Sequence, residues 1–177
     1  MKHYLFIIFS LTTIFNNSFA EEQETTNQLK CINLNEVKPS YSPPALFSAS
    51  VACANKEEPM KAAQLFLFAR IYGSYDMMRA EDHTARQVIN ILVQNTFKAM
   101  RGNADSVQYQ INHELIKKPE TFKAFCTSAK TIGKPNYHPT YMINHGMNAV
   151  LGKIKNNGIK ENFNENQAWV KNMRNCG

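Results

Sequence analysis

The chain has 177 residues, of which 44% are apolar, 11% aromatic and 19% charged, with a formal net charge of +6. That length suits one domain, and that apolar fraction is too high for a disordered chain. Seven glycines and seven prolines, neither periodic nor clustered, exclude collagen-like and low-complexity chains, and the scattered lysines form no nucleic-acid stripe.

The first twenty residues set the expected compartment. Lys2 and His3 precede an apolar run from Tyr4 to Phe15, which is followed by polar Asn16-Asn17-Ser18 and then Phe19-Ala20. This order predicts a secretory signal peptide over residues 1–20, cleaved after Ala20. A membrane anchor needs about 20 apolar residues, and this run has roughly a dozen, interrupted by Ser10, Thr12 and Thr13. No later segment is apolar enough for stable membrane insertion, so a soluble mature chain is expected, periplasmic or secreted. Twenty asparagines, with many lysines and isoleucines, suggest an AT-rich coding sequence and a bacterial source.

Four cysteines remain in the mature chain: Cys31, Cys53, Cys126 and Cys176. An even count in an exported chain reads as two disulfides. Of the three pairings, Cys31–Cys53 with Cys126–Cys176 is favoured, because each bond then ties down a chain end that would otherwise fray. A zinc site is the rival, but there is no Cys-x-x-Cys spacing and no histidine within four residues of a cysteine.

Residues 21–42 read as a polar, irregular extension, and 43–177 as a single helical domain. Ser42-Pro43-Pro44 predicts a helix start, with a first helix over about 44–54. Lys56-Glu57-Glu58-Pro59 opens a second over about 60–78, apolar on most of its circumference and therefore central. A third is expected over 84–100, with Val88, Ile89, Leu92, Val93, Phe97 and Met100 inward. Val107, Ile111 and Leu115 at intervals of four predict a helix over 104–117, and Pro119-Glu120 starts another that Gly133 and Pro135 close. Pro139 opens a short helix over about 140–151, and Trp169 and Val170 mark a last one over 167–175. No segment alternates with period two, so the fold class is all-α: a disulfide-stapled bundle of antiparallel helical hairpins.

Ala45-Leu46-Phe47, Lys61-Ala62-Ala63-Gln64-Leu65-Phe66 and Ala69-Arg70-Ile71-Tyr72-Gly73 together resemble the paired helices of tetratricopeptide and Sel1-like repeats. The resemblance covers residues 45–73 and implies one helical hairpin and a partner-binding surface.

Two polar clusters are candidates for function. Tyr75-Asp76, Arg79, Glu81, Asp82, His83 and Arg86 place acids and bases at helical intervals. They read either as a charged helix junction or as an acid/base site with Asp76, Asp82 and His83 as its catalytic residues. The segment 133–147 holds two prolines, two tyrosines and two histidines. There Tyr137, His138, Tyr141 and His145 read as a binding patch, or as a proline-fixed turn docking its tyrosines on the core. The chain lacks a Gly-x-Ser-x-Gly elbow, a phosphate-cradling glycine loop and a His-Glu-x-x-His pair, and no metal or cofactor is expected. The reading is a helical binding protein with a protein partner, such as a toxin-neutralising immunity protein. The alternative is a small hydrolase or lyase acting on cell-envelope material.

Overall fold

Proline placement decides where the chain enters its first helices. The computed structural model describes residues 28–176, and the expected signal peptide at 1–20 lies outside the described residues. Helix α1, Pro43–Ala54, begins with both prolines in the turn whose amides have no helical acceptor, and α2, Pro59–Arg79, begins the same way. Helix α3 spans Val88–Met100 and α4 spans Ala104–Tyr109. Then come α5, Pro119–Ile132, α6, Thr140–Ile143, α7, Met147–Val150, and α8, Glu165–Asn172. Among the described residues the fold is all-α, without a strand; Ala80 and Ile159 form an isolated antiparallel bridge.

Three elements differ from expectation. The third helix starts with a 3-10 turn, His83–Gln87, because Asp82 Oδ1 accepts the Thr84 amide and fixes a tighter entry. The helix expected over 104–117 widens into a π turn, Gln110–Leu115, with Ile116 N donating to Ile111 O at 3.0 Å. That widening still leaves Val107, Ile111 and Leu115 buried. The helix expected over 140–151 is broken at Gly146, whose extended backbone (φ −82°, ψ 155°) starts α7 afresh. A Cβ at Gly146 would lie 2.5 Å from Asp82 Oδ2, so the break is set by a close approach that glycine alone permits without rearrangement.

Helix α2 is the axle, as the apolar residues on most of its circumference imply. Leu65, Phe66, Phe68, Ala69 and Tyr72 are at most 2% exposed. Alanines 49, 62 and 63 let α1 lie close against it, and Ser50 Oγ donates to the Ala62 carbonyl at 2.7 Å. Phe66 meets Phe47 edge-on at 5.3 Å and Phe97 of α3 at 4.7 Å, which joins three helices through one ring. A second cluster of Ala85, Val88, Ile89, Tyr141 and Met142 covers the far end of α2.

The two disulfides are Cys31–Cys53 and Cys126–Cys176, with Cα separations of 4.6 and 5.2 Å, and they match the expected pairing. The first pins the segment before α1, whose Leu34 and Val37 are buried, to α1. The second pins the C-terminal turn Arg174–Cys176 to α5.

Candidate functional site

Helical periodicity puts Tyr72, Tyr75, Asp76 and Arg79 on one side of the last two turns of α2. Asp76 is fully buried. Arg79, three residues on, donates from Nε to Asp76 Oδ1 at 2.9 Å and brings Nη2 to 2.7 Å of the same oxygen. From the far side of the sequence, Tyr141 and Tyr137 donate their hydroxyls to Asp76 Oδ2 at 2.7 and 2.9 Å. The Arg79 guanidinium also lies over the rings of Tyr137 and Tyr75, at 5.2 and 5.3 Å from their centroids. Burial drives the Asp76 carboxyl above the usual carboxylate range, opposed by Arg79 and then by the two hydroxyls. Burial and the neighbouring Asp76 charge hold the Tyr137 hydroxyl well above its ordinary value. Burial first, then Glu165, pushes Tyr75 up to about 12. Chemically this is a closed ionic knot that fixes α6 to α2.

Asp82 serves a different end. Its Oδ1 accepts from Thr84 N and Oγ at 2.8 and 2.6 Å, and its Oδ2 accepts from Asn148 N at 2.8 Å. Thr84 Oγ in turn accepts the Met147 amide at 2.9 Å. One carboxylate thus organises the entry to the 83–87 turn and the start of α7. The Asn148 amide and the Thr84 hydroxyl hold it below the usual carboxylate range. His83 is exposed. The hydrogen bonds of Asp76 and Asp82 therefore run to Arg79, two tyrosines, Thr84 and Asn148.

The four residues of the expected binding patch divide by side-chain direction. Tyr137 and Tyr141 turn their hydroxyls inward to Asp76. His138 and His145 are exposed: His138 Nε2 donates to the Asn157 carbonyl at 2.9 Å, which leaves Nδ1 to accept from Thr140 Oγ at 3.0 Å in the neutral ring. His145 Nδ1 donates to the Tyr141 carbonyl at 2.6 Å. Among the described residues no three His, Cys, Asp or Glu side chains converge to hold a metal ion.

A groove that the sequence did not announce lies between the 160–164 loop and α8. It has a volume of about 710 Å³ and is lined by the apolar Met78, Phe163 and Val170, with Lys160, Lys171 and Arg174 and one acid, Glu161, around them. Val170 is 72% exposed, although the sequence pattern put it inward beside Trp169. Trp169 takes the inward place, edge-on to Tyr75 at 5.7 Å and to Tyr72 at 6.0 Å. Adjacent helical positions point about 100° apart, so Trp169 turned towards Tyr72 and Tyr75 leaves Val170 outward.

Compared with protein-family models, with curated proteins and with solved structures, the chain matches none. Its likeness to a tetratricopeptide hairpin therefore stands on residues 45–73 alone, where α1 and α2 do pack as a helical hairpin. No helix among the described residues is long and apolar enough to cross a membrane.

Proposed function

We propose that this chain is an exported, disulfide-stapled helical protein that binds another protein, in the specific form of a toxin-neutralising immunity protein of bacterial competition. The observation that carries the reading is the α8 groove. An apolar strip with Val170 outward, ringed by Lys160, Lys171 and Arg174 against the single acid Glu161, has the layout of a protein interface: an apolar centre inside a polar, net cationic rim. Small-molecule pockets enclose most of their ligand, whereas this groove is shallow and open along its length, which suits a segment of a larger partner. The cations favour a partner whose docking segment is acidic around an apolar anchor. Two disulfides accord with an oxidising compartment, where a small binding domain keeps its surface rigid.

The test compares the oxidised protein with its Val170→Asp variant as baits for envelope extract, at several salt concentrations. Val170 is 72% exposed, so the variant is expected to fold normally, which circular dichroism checks. The expected result is one stoichiometric partner on the wild type, reduced at least tenfold on the variant. Identical capture by both baits, or no stoichiometric partner on either, overturns the proposal.

A further inference from the structure

Beyond the groove, a second surface has an unusual construction. Of the eight residues from Met147 to Ile154, four are large, apolar and outward: Met147 is 51% exposed, Val150 73%, Leu151 55% and Ile154 44%. Scattered apolar side chains on a surface need no explanation, but four on one short loop form a patch. A loose loop would expose such side chains by default. This loop is clamped at both feet.

At the first foot, the amides of Met147 and Asn148 donate to Thr84 Oγ and Asp82 Oδ2, with Gly146 packed against the Asp82 carboxylate. At the second, Glu81 N donates to Gly158 O and Lys160 N to Arg79 O, both at 2.9 Å. There Gly158 (φ 77°) sits so close to Ile143 that a Cβ would lie 2.5 Å from Ile143 Cγ2. Backbone groups at the two ends of the 147–160 stretch are thus spent inward on residues 79–84, while four apolar side chains between them are exposed. This holds the segment in place through its backbone and leaves much of its apolar side-chain surface outward.

Charge identifies what the patch fits. From Thr121 to Lys160 the chain contains no aspartate or glutamate, and it carries lysines at 123, 130, 134, 153, 155 and 160. Lys153 and Lys155 flank Ile154 directly and are exposed, and the exposed imidazole of His138 lines the same shallow depression as Ile154. Glu81 and Asp82, which line the cleft behind Ile154 and Lys155, offset part of that charge, and Lys134 is paired with Glu165. An apolar tip bordered by lysines is the pattern of a segment that lies in a lipid interface, with its hydrocarbon below the headgroups and its cations among anionic phosphates.

We propose that the Met147–Ile154 loop is a peripheral membrane-docking element that seats the folded protein on an anionic phospholipid surface. The contact is interfacial: side chains enter the headgroup boundary and no segment spans the bilayer. It does not depend on the α8 groove.

The test is flotation of the purified, oxidised protein with vesicles of phosphatidylcholine alone or of phosphatidylcholine with phosphatidylglycerol. Wild type is expected to float with the anionic vesicles at low salt and to stay behind with the neutral ones. Each lysine near such a surface is worth about a fivefold change in binding, so K153Q/K155Q is expected to weaken flotation about 25-fold. V150S/L151S is expected to lose at least about tenfold, since lost apolar insertion weakens binding while the net charge is unchanged. Because all four positions are exposed, both variants are expected to keep the wild-type melting temperature. As an independent readout, Leu151→Trp is expected to give a blue-shifted emission with anionic vesicles only. V170D is expected to float like wild type, which separates this inference from the groove. Absence of flotation with anionic vesicles overturns the proposal. So does flotation that V150S/L151S leaves unchanged, which would mark plain adsorption of a basic protein.

Discussion

Replacing Asp76 by asparagine removes one charge from a fully enclosed site while keeping nearly the same shape. Arg79, 7% exposed, then holds a guanidinium with no anion beside it, and the hydroxyls of Tyr137 and Tyr141 share an amide that can accept at one atom only. Breaking a buried ion pair from one side costs about 3–5 kcal/mol. A domain of this size has about 5–15 kcal/mol in total, so the variant is expected to lose about a fifth or more of its stability. At ~2–4 °C per kcal/mol, the melting temperature falls by about 10 °C. The assay is equilibrium urea unfolding followed by circular dichroism, with both disulfides intact. The double variant D76N/R79M completes the cycle. Because burial opposes the Asp76 charge so strongly, removing the second charge relieves the orphaned cation, and the double variant is expected to be more stable than D76N alone. A loss under about 1 kcal/mol for D76N, or a double variant less stable than the summed singles, would show that Arg79 reaches water and that the knot is not closed.

Two other perturbations probe the staples and the loop anchor. C126A/C176A opens a loop of sequence separation 50 and C31A/C53A one of 22, so chain entropy predicts losses of about 4 and about 3 kcal/mol, read from urea midpoints. The reverse order would assign the stabilisation to local packing instead. Asp82 has a folded pKa below its unfolded value of about 3.9, so its contribution is present above that value and disappears as pH falls through the lower, folded one. Hydrogen exchange corrected for intrinsic rates is therefore expected to show the Asn148 amide losing protection below about pH 4 in wild type. In Asp82→Asn that pH dependence is expected to be absent; an unchanged pH profile in the variant would remove Asp82 as the anchor.

What the sequence by itself determined was everything encoded within a few residues or by simple redox and entropy arguments. Pro43, Pro59 and Pro119 mark helix starts because proline lacks the amide that a first turn leaves unpaired. The apolar residues around most of α2 mark it as central, and four cysteines, two of them near the ends of the mature chain, favour the observed pairing. The segmentation of 140–151 was not legible, because it depends on Gly146 meeting Asp82, 64 positions earlier. The same holds for the roles of the candidate residues. Asp76 and Tyr141 are 65 positions apart, and spacing along a helix says nothing about a partner brought in by another element. Trp169 and Val170 are neighbours that periodicity could not separate, and only the space left by Tyr72 and Tyr75 decided which would fill the core. Local propensities and covalent constraints are written along the chain, whereas the direction of a side chain is settled by the shape and charge of what the rest of the fold places against it.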